Sequence, residues 1–145
     1  MVNTKNVSAY EGAPPARHLS EGRHYIENGP IYVLQSIEKA LESGESSLNL
    51  WTRECVKDVR DKLELDMSDL FSLFQVISAG NANYLKSEWC IQKSNGPWAA
   101  CDSYSITREE WIEYAKKYMN ITYYIKFAIN KSGKLLLIIS CHTSK

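Results

Sequence analysis

Apolar positions recur at helical spacing in three stretches of the chain. From Tyr32, the residues Val33, Leu34, Ile37, Ala40 and Leu41 follow at three- and four-residue steps until Gly44, a natural stop. A short extended piece, Leu48 to Trp51, leads to Thr52, which can cap a second helix. Its inner face is Cys55, Val56, Val59 and Leu63, and its outer face of Arg53, Lys57, Arg60, Asp61 and Lys62 reads as solvated. Asp66 and Ser68 offer caps to a third helix with Leu70, Phe71, Phe74 and Ile77 on one side, ending near Gly80 and Asn81.

The period then changes. Tyr84 to Ile91 and Trp98 to Ile106 read as strands joined by the turn formers Lys93-Ser94-Asn95-Gly96-Pro97. Thr107-Arg108-Glu109-Glu110 matches a capping box, and Trp111, Ile112, Ala115, Tyr118 and Met119 predict a short fourth helix that interrupts the sheet. From Thr122 to His142 the pattern is an antiparallel hairpin around Asn130-Lys131-Ser132-Gly133-Lys134, with Gly133 in the left-handed conformation. A three-residue loop sets Ile129 opposite Leu135, Phe127 opposite Leu137, Ile125 opposite Ile139 and Tyr123 opposite Cys141. Odd positions are then apolar throughout. The even face begins with Ala128, Leu136 and Ile138 and turns polar at the open end with Lys126, Tyr124, Ser140 and His142.

The predicted class is α+β, with N-terminal helices packed on an antiparallel sheet that closes with a β-hairpin. At 145 residues, with 44% apolar and 23% charged positions, the chain suits one domain, residues 30–145. Residues 1–29 hold Gly12, Pro14, Pro15, Gly22 and Gly29 without either period, and read as a flexible arm. Its Arg17, His18, Arg23 and His24 suit a polyanion or simple solvation. The longest apolar run, Leu135 to Ile139, is too short to cross a bilayer, and the polar N-terminus predicts a cytoplasmic protein without a membrane partner. Formal net charge is zero, so any polyanion site must be local. Cys55, Cys90, Cys101 and Cys141 show no metal or redox spacing and read as free thiols.

The polar end of the hairpin gathers a phenol, an imidazole and an ammonium on one face. Such a group can move protons and hold a phosphate, although a sheet rim is also polar simply because it meets water. A nucleophilic Cys141 or Cys101 acting with His142 is a further reading, against which Cys141 lies on the opposite face.

Several short motifs, in order, resemble the MqsR-type toxins of bacterial toxin-antitoxin pairs, which share the RelE-like ribonuclease fold. They are Pro30-Ile31-Tyr32-Val33-Leu34, Thr52-Arg53, Leu63-Glu64-Leu65-Asp66, Tyr84-Leu85-Lys86-Ser87, Asp102-Ser103-Tyr104, Tyr124-Ile125-Lys126-Phe127 and Ile138-Ile139-Ser140-Cys141-His142. The resemblance implies an endoribonuclease that cleaves single-stranded mRNA without a metal or other cofactor and is neutralised by a cognate antitoxin. It implies Lys86 as phosphate clamp, Tyr124 as the group that orients or deprotonates the 2′-hydroxyl, and His142 as general acid. Lys126, Ser140, Cys101, Tyr104 and Arg108 are candidate substrate contacts. The chain departs from the pattern at Cys101, where the family usually has glutamine, at Leu85, where tyrosine is common, and at His142, where the family has lysine. The stretch 108–118 looks like an insertion. Net charge of zero, Cys101 and His142 favour an alternative, a toxin fold that has lost catalysis and binds RNA or protein through its surfaces.

Overall fold

The computed structural model describes residues 5–15 and 24–143, and Arg17, His18 and Arg23 lie outside them. The architecture is α+β. Among the described residues three α-helices, α1 (Leu34–Ala40), α2 (Arg53–Lys57) and α3 (Met67–Ser78), accompany six strands. The strands are β1 (His24–Ile26), β2 (Leu48–Leu50), β3 (Asn83–Ile91), β4 (Trp98–Ile112), β5 (Lys117–Ile129) and β6 (Leu136–Thr143). They form one sheet in the order β1-β3-β4-β5-β6-β2, antiparallel except where β2 runs parallel to β6.

The capping residues act largely as their chemistry requires. Thr52 Oγ1 accepts from the Cys55 amide at 3.1 Å, and Asp66 and Asp69 form a reciprocal capping box. The first helix is shorter than its apolar spacing suggests: Tyr32 and Val33 precede it, and beyond Ala40 the chain tightens into 3₁₀ turns that pass Gly44 at φ +72°. A π-helical turn, Asp58–Lys62, follows α2. On α3 the side chains of Leu70, Leu73, Phe74 and Ile77 are fully buried, each contributing about 1.5–3 kcal/mol. Phe74 meets Phe127 of β5 edge-on at 5.1 Å.

These contacts define the helix-covered face of the sheet: Tyr104 on β4, Ile125 and Phe127 on β5, Ile138 and Cys141 on β6. Asp102, wholly buried on that face, receives the amides of Ile31 at 3.1 Å and Tyr32 at 3.0 Å and the Ser87 hydroxyl at 2.5 Å. It ties the entry to α1 onto the middle of the sheet. The opposite face is concave: Gln92, just past β3, donates to the Trp51 carbonyl just past β2 at 2.8 Å. Those strands stand four places apart, roughly 19 Å in a flat sheet.

Three expectations are corrected. Residues 108–118 form no helix; β4 and β5 continue as a two-stranded ribbon from Thr107/Thr122 to Ile112/Lys117, turning through residues 113–116 with Lys116 at φ +52°. Cross-strand pairs hold it: the Thr107 and Thr122 hydroxyls lie 2.7 Å apart, and the Trp111 and Tyr118 rings meet at 5.2 Å. Second, the closing hairpin is shifted. Asn130 Oδ1 accepts from the amides of both Lys134 and Leu135 at 3.1 Å, which lengthens the loop by one residue and sets Ile129 against Leu136 and Phe127 against Ile138. Leu136 and Ile138 therefore face the helices. Third, the described part of the segment read as an arm joins the fold: β1 pairs with β3, and Asn6 and Ser8 bridge to Trp98 and Asn130.

Candidate functional site

Strict alternation along β3 and β6 would put the polar residues on the wrong side of the sheet. Tyr84 pairs with Tyr104 on the helix-covered face, so Lys86, two residues on, would follow it there. An extra residue, Leu85, interrupts the ladder, and Lys86 instead pairs with Ser103 on the concave face. On β6 the same device recurs. Ile138 pairs with Phe127 on the helix side, Ile139 is the extra residue, and Ser140 then pairs with Lys126 on the concave side. Thr52 Oγ1 fixes this second bulge by donating to the Ile139 carbonyl at 2.7 Å.

The two bulges align a row across four strands: Lys86, Ser103, Lys126 and Ser140, each registered against the next. The adjoining row is Ser105, Tyr124 and His142. Together with Leu85 and Ile125, the side chains of Lys86, Ser103, Tyr124, Lys126, Ser140 and His142 line a cleft of about 320 Å³. The Tyr124 and His142 rings lie 5.4 Å apart and 25° from parallel. His142 is exposed; Tyr124 and Lys126 are partly buried.

Beneath the row lies Glu88, only 3% exposed, two residues beyond Lys86 on β3. Its Oε1 is 2.6 Å from Lys126 Nζ and 3.9 Å from Lys86 Nζ. Burial works against the Lys126 ammonium, but the field of Cys90 and the Glu88 hydrogen bond and charge hold its pKa above the ordinary lysine value. Lys86 Nζ also lies 5.7 Å above the Tyr25 ring of β1.

Five residues expected at the site, Lys86, Tyr124, Lys126, Ser140 and His142, line the cleft. Three do not. Cys101 shares the concave face but is fully buried opposite Glu88; burial drives its thiol pKa well up, leaving a neutral group that packs below the cleft wall. Tyr104 points to the helices, stacked on Phe127 at 6.0 Å, with its phenol pushed up to about 12 by burial. Arg108 lies on that same side of the ribbon, 2.6 Å from Glu110 and 5.4 Å above the Tyr123 ring. Its parity with Tyr104 keeps it from the cleft. Cys141 faces the helices and burial raises its thiol to about 12, so it forms no pair with His142.

Two site residues escaped the sequence reading. Glu88 carried a signal, since Lys86-Ser87-Glu88 at strand period places both charges on one face. Ser103 carried none, because its place beside Lys86 depends on the bulge. Among the described residues, no group of three or more His, Cys, Asp or Glu side chains could hold a metal ion, and no helix is long and apolar enough to cross a membrane. No protein-family model, curated protein or solved structure matches the chain.

Proposed function

We propose that this protein is an MqsR-type toxin on a RelE-like fold, an endoribonuclease that cuts single-stranded mRNA without a metal and is neutralised by a cognate antitoxin. One observation carries the reading: two separate β-bulges turn Lys86, Ser140 and His142 onto the face that already holds Tyr124 and Lys126. A polar rim exposed only to water needs no such departures from the ladder, whereas bulges beside active sites commonly re-aim side chains.

Cleavage then runs by internal attack. Tyr124 orients the ribose 2′-hydroxyl, whose proton passes to the phenolate form of Tyr124 or to solvent water as the 2′-oxygen bonds to the adjacent phosphorus. The bond to the 5′-oxygen breaks, and His142 gives that oxygen a proton. Lys86 and Lys126 support the charge that builds on the phosphoryl oxygens. The products are a 2′,3′-cyclic phosphate and a free 5′-hydroxyl, with atoms and protons balanced.

The test is induction of the intact chain in bacteria with mapping of RNA 5′-ends. New 5′-hydroxyl ends and arrested growth are expected, and both should vanish for Lys86→Ala and His142→Ala. Identical ends for all three proteins sink the nuclease reading. The alternative, a toxin fold that only binds RNA or protein, is favoured by Glu88, whose buried carboxylate offsets one of the two ammonium charges at the cleft.

A further inference from the structure

Two polar groups of the concave face have no part in that chemistry, and both belong to the neighbourhood of the lysines. Ser103 is 5% exposed and lines the cleft between Lys86 and Lys126, yet its hydroxyl has no hydrogen-bond partner among the described residues. A hydroxyl that buried normally finds a partner, and this one is left unpaired in the wall of a cleft, beneath two lysines that a ligand would draw toward itself. Glu88 lies behind the lysines and outside the cleft lining, which contains no carboxylate among the described residues.

The lysines differ in freedom. Lys126, 20% exposed and 2.6 Å from Glu88, is fixed; Lys86, 37% exposed and 3.9 Å from the same oxygen, can swing to a ligand. Two ammonium groups sharing one carboxylate leave a single net positive charge before the imidazole is counted. An internal phosphodiester carries one negative charge, whereas a terminal phosphate carries about 1.5–2 at neutral pH.

We infer that Lys86, Ser103 and Lys126 form a seat for one phosphodiester, with Glu88 as the positioning residue that holds Lys126 and limits the seat to a single positive charge. The inference rests on the ribonuclease reading and deepens it: the seat suits a linkage within a strand better than a terminal phosphate. Ser103 donates to a non-bridging oxygen and thereby gains its missing partner.

The full chain is compared with Glu88→Gln, Ser103→Ala and the double variant Glu88→Gln/Lys126→Gln. Inorganic phosphate binding is measured by calorimetry, which needs no cleavage. Removing one negative charge a few ångströms from the anion should tighten phosphate on the order of tenfold in Glu88→Gln. The salt dependence of binding a 2′-deoxy oligonucleotide should steepen by about 0.7 in log-log slope. On RNA, KM should fall with the stronger ground-state grip while kcat falls because Lys126 has lost its support, a split that simple structural damage does not produce. The double variant, which has lost the Lys126 ammonium as well, should bind phosphate more weakly than Glu88→Gln, and Ser103→Ala should weaken binding several-fold with unchanged thermal stability.

Unchanged or weaker phosphate binding by folded Glu88→Gln overturns the seat. Should that variant not fold, Ser103→Ala decides, and unchanged phosphate binding by that protein overturns the seat equally. If phosphate behaves as expected but wild-type protein leaves RNA intact, the seat stands and the ribonuclease reading falls alone.

Discussion

Tyr124 and His142 are direct cross-strand partners, their rings stacked at 5.4 Å on the concave face of β5 and β6. Each ring limits where the other can turn, so the phenol and the imidazole are aimed together. Removing the hydroxyl and removing the ring should therefore differ. Tyr124→Phe keeps the stack and should lower kcat about 10²-fold or more if the hydroxyl handles the 2′-proton. Tyr124→Ala also frees His142 and should lower kcat further and raise KM. Equal kinetics for wild type and Tyr124→Phe would reduce Tyr124 to a support for His142.

A general acid must enter the reaction protonated, so its loss of a proton limits the rate on the alkaline side. Lysine ordinarily titrates about four pH units above an imidazole. With His142 in the proposed role of general acid, His142→Lys should carry the alkaline limb of the kcat profile to higher pH, at a lower maximum rate because the ammonium gives up its proton less readily. Between pH 5 and 9 Lys126 adds no limb of its own, since it is held above its already high ordinary value. A profile for His142→Lys that superimposes on wild type assigns the acid to another group.

The helices and the polar end of the hairpin were legible because amphipathic spacing and caps act locally: Thr52 and Asp66 cap where their chemistry says they should. The ribbon was not. Its Thr-x-x-Glu start and the spacing of Trp111, Ala115 and Tyr118 satisfy a helical template, and its turn uses Lys116 where a glycine would have signalled a hairpin. Pairing with residues 117–122 decides in favour of strand, and that is a tertiary fact. The site was read in part for the same reason. Residues on one strand follow from alternation, but the facing of Lys86 and Ser140 depends on Leu85 and Ile139 bulging, which no local pattern announces. Simple alternation gives the right hairpin face despite the shifted pairing, because the longer loop and the bulge shift parity by one residue each.

Asp102 links the helices to the sheet through a buried carboxylate, and burial raises its pKa despite the opposing bonds from Ser87, Ile31 and Tyr32. For an acid whose folded pKa is raised, the folded state holds the proton longer, so stability falls as pH rises from the ordinary value of 3.8 through the folded one. Asp102→Asn should flatten that segment in urea unfolding measured across mildly acid pH. It should also cost roughly 1–3 kcal/mol near neutrality, because an amide NH₂ would meet backbone N–H donors. Asp102→Ala should cost more, leaving two amides and a hydroxyl without their acceptor. An unaltered pH slope in Asp102→Asn would show that other groups produce it.

The bulge at Ile139 makes an unusual prediction about length. Because Ile139 is the extra residue, deleting it joins Ile138 to Ser140 in an ordinary ladder, with Ile138 still toward the helices and Ser140 and His142 still in the cleft. The deletion loses the Thr52 hydrogen bond to the Ile139 carbonyl, at a cost of about 1 kcal/mol, and some local twist. Cleavage should persist at a reduced rate. Inserting one alanine after Ser140 has the opposite effect, for it moves His142 to the helix-covered face while leaving Ser140 in place. Activity should then fall to the level of His142→Ala. Both proteins are first compared by circular dichroism and thermal melting, so that an unfolded chain is not mistaken for a turned strand. An active insertion variant, or a folded but inactive deletion variant, would mean that the facing set by this bulge does not govern the site.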